Sequence, residues 1–167
     1  MKYLIHIFIM ISVVVSAQEL KPDGIAPVKT EVDFSQGEIY EKLKTYSEEY
    51  LVNHDIKITN LNPGKTITIQ GSENNKACYI NPQVASKNCF LLNYTLVLTA
   101  QDKSYIFEIT DLKASNESKH PGMDYMHWFD ENGGVIPLVQ TCAAGTSEYF
   151  QALNHDFKEY IEEGDYW

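Results

Sequence analysis

At 167 residues, 44% of them hydrophobic, the chain is long enough to bury one core and too short for two ordinary domains. Its net charge is −10, and all of its basic residues are Lys. Without Arg there is no bidentate fork for phosphate or guanine, and an acidic surface repels polyanions; nucleic acid and anionic membrane surfaces are excluded as charge-driven partners.

Residues 1–17 open with Lys2, continue through an apolar run from Tyr3 to Val15, and close on Val15-Ser16-Ala17 before Gln18. A charged head, an apolar centre and a small-residue exit predict a secretory signal peptide. The run is shorter than the ~20 residues of a membrane-spanning helix, and no later stretch approaches that length, so no transmembrane segment is expected. The expected mature chain starts at Gln18 and is periplasmic or secreted; with no Cys there, it is not a lipoprotein.

Residues 18–27 are rich in turn formers and predict a flexible lead-in. Alternation of Val28, Val32 and Phe34 with polar residues predicts a short strand over 28–34. Ser35 and Glu38 have capping-box spacing, with Phe34 and Ile39 placed as a hydrophobic staple. Ile39, Leu43, Tyr46 and Tyr50 then recur at helical spacing, which predicts a helix over 36–52.

Ile56 and Ile58, a turn at Asn62-Pro63-Gly64, then Ile67 and Ile69 predict a hairpin. Residues 71–87 are polar and predict an irregular connection. From Phe90 to Ala100 the apolar side chains Phe90, Leu92, Tyr94, Leu96 and Leu98 share one face. After a turn at 101–104, Tyr105, Phe107 and Ile109 line the same kind of face on a return strand, with Thr and Asn on a wet opposite face. Residues 114–145 predict an irregular insertion. Phe150, Leu153, Phe157, Tyr160 and Ile161 predict a second helix over 146–163, ended by Gly164 and followed by a tail at 164–167. The order β-α-β-β-β-β-α predicts one α+β domain over 28–163, an antiparallel sheet with two helices packed on one face.

The three cysteines allow one bridge in an oxidising compartment. Cys78 with Cys89 would pin the hairpin connection and leave Cys142 as a free thiol; Cys89 with Cys142 is the competing pair. There is no CxxC redox motif.

The leader ending in Ala-Gln, the segment Glu38–Tyr46 (EIYEKLKTY), the isoleucine hairpin and Lys103–Asp111 (KSYIFEITD) together resemble a family of exported Bacteroidetes proteins. These carry a domain of unknown function described as having a TATA-binding-protein-like fold. The resemblance covers roughly residues 28–113. It implies the same element order, and it implies no catalytic residues. The fold name imports no DNA binding either, since function lives in a site and this chain is acidic.

Chemistry-bearing residues concentrate between His120 and Gly134. His120, Asp124, His127 and Asp130 offer two imidazoles and two carboxylates suited to Zn or another divalent ion, though at no established spacing. The plainer reading is a surface loop anchored by Tyr125, Trp128 and Phe129. Cys142, near a helix entrance, is either an acidified thiol nucleophile or a small buried hydrophobe. No G-x-S-x-G, Walker A loop or dinucleotide fingerprint is present.

Two functions follow. The first is an exported, non-catalytic module binding an envelope protein, peptide or glycan, with Trp128, Tyr166 and Trp167 as candidate anchors and no cofactor. The alternative is a small enzyme, metal-dependent through His120, Asp124 and His127 or thiol-dependent through Cys142.

Overall fold

The computed structural model describes residues 20–22, 24–49, 56–81, 86–115 and 124–164. Its strands are β1 (Leu20–Lys21), β2 (Gly24–Glu31), β3 (Ile56–Asn62), β4 (Thr66–Asn81), β5 (Ser86–Gln101) and β6 (Ser104–Ser115). The helices are α1 (Gln36–Glu49) and α2 (Gln140–Glu163). The strands form one antiparallel sheet in the spatial order β1-β2-β6-β5-β4-β3, and both helices pack on one face. Apart from the two-residue β1, this is the expected α+β order.

Local chemistry explains the element boundaries. The Glu38 carboxylate accepts from the Ser35 backbone N–H (3.0 Å) and hydroxyl (2.6 Å), which starts α1 and holds the Glu38 pKa below its ordinary value. Gly64, at φ 71°, closes the β3–β4 turn, with the Lys65 N–H donating to the Asn62 carbonyl. Alternation on β5 turns Phe90, Leu92, Tyr94, Leu96, Leu98 and Ala100 to the helix layer, opposite Tyr105, Phe107 and Ile109 of β6. On α2, Cys142, Thr146, Phe150, Leu153, Phe157 and Ile161 form the buried stripe that meets them. Where α2 crosses β4, a Cβ on Gly145 would land on the Lys76 carbonyl oxygen, so the close approach of helix and strand requires Gly. The Tyr105 hydroxyl donates to the Asn154 carbonyl and side-chain oxygens (2.9 and 2.8 Å), and the Asn154 amide donates to Thr30, which ties β6, α2 and β2 together.

Three expectations are corrected. Within the expected flexible lead-in, residues 20–21 and 24–27 lie in β1 and β2. Ile25 is buried opposite Ile109, and the Tyr125 hydroxyl binds the Lys21 and Gly24 carbonyls (2.6 and 3.1 Å). Residues 71–81 are not irregular but extend β4. A register slip between Glu73 and Ala77, with Asn75 at φ 65°, breaks the alternation that would have marked a strand. The expected insertion at 114–145 is shortened at both ends, since β6 runs to Ser115 and α2 begins at Gln140. Between them lie short 3-10 turns at Tyr125–Trp128 and Pro137–Val139 and a bridge between Phe129 and Val135. The expected signal peptide at 1–17 lies outside the described residues.

Candidate functional site

The sheet has a second face. Alternation turns Thr66, Thr68 and Gln70 of β4, Asn93, Thr95, Val97 and Thr99 of β5, and Ile106, Glu108 and Thr110 of β6 away from the helices. All of these stay solvent-accessible, and the register sets them in rows: Thr66–Thr99–Ile106, Thr68–Val97–Glu108, Gln70–Thr95–Thr110. Beyond the third row the β5–β6 register slips between Asn93 and Thr95, with Asp111 in the left-handed region at φ 50°. The slip opens a shallow depression of about 360 Å³ lined by Gln70, Asn93, Thr95, Asp111 and Lys113. Among the described residues these side chains make no hydrogen bond or ion pair. Two amides, a hydroxyl, a carboxylate and an ammonium are thus free to meet a ligand. Tyr94 also lines the depression, but its ring turns to the helix layer, edge-on to Phe150 at 4.9 Å with its hydroxyl 3.1 Å from that of Tyr149. Burial raises the pKa of both tyrosines.

Of the residues singled out between His120 and Gly134, Asp130 and the aromatic residues have structural partners. Asp124 and His127 face solvent at either end of a single turn, where the His127 N–H donates to the Asp124 carbonyl at 2.8 Å. Asp130 accepts from the Asn132 and Gly134 N–H groups (2.8 and 2.9 Å) and closes the turn between Phe129 and Val135. Among the described residues no three His, Cys, Asp or Glu side chains come together as a metal cluster. His120, Tyr166 and Trp167 lie outside the described residues.

Trp128 is corrected from partner anchor to core. It is fully buried, with its ring centroid 5.5 Å from Phe90 and 5.3 Å from Tyr125, so it anchors its own loop. Cys78 and Cys89 are bridged across β4 and β5.

Cys142 is free and fully buried in the first turn of α2, and burial pushes its thiol up to about 11 rather than acidifying it. A thiol raised this way stabilises the fold fully below its ordinary 9.0, and that contribution is lost as pH rises through about 11. Urea midpoints are therefore expected to fall between pH 9 and 11, less steeply for Cys142→Ala. An aromatic disulfide reagent at pH 8 is expected to modify the native thiol only as fast as the chain opens. Rapid stoichiometric reaction would contradict the burial.

No family model matches the sequence, and no curated protein matches it. Solved structures do. A DUF4468 family protein from Bacteroides ovatus aligns with a TM-score of 0.70 at 16% identity, over 92% of this chain and 95% of its own. A TBP-like protein from Parabacteroides distasonis aligns with a TM-score of 0.62 at 16% identity, over 87% of this chain and 96% of its own. The fold is TATA-binding-protein-like. The resemblance carried by Glu38–Tyr46 and Lys103–Asp111 implied the same TBP-like architecture. At this identity the likeness is one of fold. In this TBP-like sheet the open face was legible as the wet side of the Thr- and Asn-bearing strands. The depression lies where the alternation on β6 changes phase, from Phe107 and Ile109 to Leu112 and Ala114; that mark stands in the sequence, but the neighbouring strand it opens against does not.

Proposed function

We propose that this protein is an exported, non-catalytic binding module that takes its partner on the open face of the sheet. The observation that carries this reading is a set of five side chains around one depression, Gln70, Asn93, Thr95, Asp111 and Lys113, that make no hydrogen bond or ion pair among the described residues. Elsewhere the distinctive residues are committed: Trp128 to the core, Asp130 to a turn, Cys142 to the buried face of α2. A buried, neutral thiol offers no nucleophile, which weighs against the thiol-enzyme alternative.

Export is supported by the leader pattern of residues 1–17 and by the Cys78–Cys89 bridge, which suits an oxidising compartment. No described helix is long and apolar enough to cross a membrane. The open face mixes both signs of charge, Lys21, Lys29, Lys57, Lys87 and Lys113 with Glu31, Glu108 and Asp111, and has no Arg fork, so it suits a polar partner that is not a polyanion.

The test begins with protein exported through its own leader and isotopically labelled for amide NMR. Intact mass is expected to show a chain starting at Gln18. Titration with short peptides and neutral oligosaccharides is expected to move amides of residues 66–72, 93–99 and 106–113. A retained leader would overturn the export reading, and shifts confined to α1 and α2 would overturn the assignment of the face.

A further inference from the structure

Resting on that reading, we infer that the depression at the β5–β6 register slip is a subsite for a neutral carbohydrate. The donor set is the first argument. A sugar hydroxyl both donates and accepts, and so do the Gln70 and Asn93 amides and the Thr95 hydroxyl; Asp111 only accepts and Lys113 only donates. Adjacent hydroxyls on a ring can therefore be satisfied together, with the two charged groups making the stronger bonds. Charge is the second. One carboxylate and one ammonium leave the depression neutral inside a chain of net charge −10, which disfavours acidic sugars and anionic peptides.

Position separates a sugar from a peptide. An extended peptide gains most of its affinity from main-chain bonds to a free strand edge. The depression sits over β4, β5 and β6, and β5 and β6 are interior strands of the sheet. The residues that line it on β4 and β5 are flanked by cross-strand partners, Gln70 and Gly71 by Lys57 and Ile56 on one side and by Thr95 and Tyr94 on the other. A peptide laid there finds side chains but no ladder. A sugar needs no ladder. The size fits a short saccharide, since about 360 Å³ lies at the small end of the ~300–1,000 Å³ range of ligand sites. With the Tyr94 ring turned inward, no aromatic platform supports the sugar among the described lining residues. Binding rests on hydrogen bonds, so a Kd on the order of millimolar is expected.

The test is calorimetry and amide NMR with three neutral hexasaccharides: a β-1,4-glucan, an α-1,4-glucan and an N-acetylglucosamine oligomer. A short uncharged peptide is run beside them. At least one saccharide is expected to shift residues 70, 93, 95, 111 and 113. Asn93→Ala and Lys113→Gln are each expected to weaken it about tenfold, as loss of one or two such bonds requires. Glu41→Gln, on the solvent side of α1, is expected to change nothing. The NMR spectra report the fold of each variant directly. Peptide binding on the open face with no saccharide binding overturns the carbohydrate subsite and leaves the face as the binding surface. Saccharide binding that survives both depression variants also overturns the subsite. Binding of neither class overturns both readings.

Discussion

Trp128→Ala is expected to lower the free energy of unfolding by about 3–5 kcal/mol, the cost of emptying a fully enclosed large aromatic site. The ring packs at 5.5 Å from Phe90, on the helix-facing side of β5, and at 5.3 Å from Tyr125. Tyr125 in turn holds the carbonyls of Lys21 and Gly24, and the Trp128 carbonyl accepts the Ile136 N–H at 2.9 Å. Removing the indole therefore loosens the chain ahead of α2 and the β1–β2 turn along with the local packing. Met126→Ala, two residues away and 73% exposed, is expected to change stability by less than about 0.5 kcal/mol. Trp128→Phe is informative because the indole N–H has no hydrogen-bond partner among the described residues. Phe keeps much of the packing and removes that unpaired donor, so it is expected to cost well under half as much as Ala. Urea unfolding followed by far-UV circular dichroism measures all three. A loss below about 1 kcal/mol for Trp128→Ala would mean that the ring is not core.

The same residue shows where sequence reading succeeds and where it stops. Strands β5 and β6 were legible because one face is apolar and the other is Thr-rich, a period of two that survives into the buried pattern. Helix α1 was legible from its cap, Ser35 with Glu38, and from its staple. The first turns of α2 were not. Their buried residues are Cys142, Ala143 and Thr146, too small or too polar to read as an apolar stripe, and Gly145 resembles a break. That Gly is there for tertiary reasons, to admit the Lys76 carbonyl, which a single strand of text cannot reveal. Trp128 was visible as an aromatic anchor, but whether it anchored its own loop or a partner depends on what lies within reach in space. Asp130 likewise looks the same on paper whether it closes a turn or binds a cation.

Loss of the disulfide is the second large effect. Cys78→Ala/Cys89→Ala is expected to cost about 2–3 kcal/mol, the chain-entropy value for a bridge across 11 positions. The topology says why the bridge sits there. Among the described residues, β3 pairs with β4 as far as Gly71, and β6 pairs with β5 from Leu91 onward. Among the described residues, 77–81 and 86–90 pair only with each other, past a register slip at Glu73–Ala77. No described strands flank this arm on either side to hold it in the sheet. The bridge joins directly opposed residues and substitutes for them. Neither cysteine is fully buried, so a small thiol reductant can reach them. The oxidised wild type is expected to drop to the stability of the double variant when reductant is added, and the double variant is expected to ignore it. Cys142→Ala should retain the full response to reductant, because its thiol takes no part in the bridge. Thiol counting under denaturant closes the argument, with one reactive thiol expected in exported wild type and three after reduction. Three thiols in exported protein without reductant would remove the bridge, and with it the structural argument that this chain is built for an oxidising compartment.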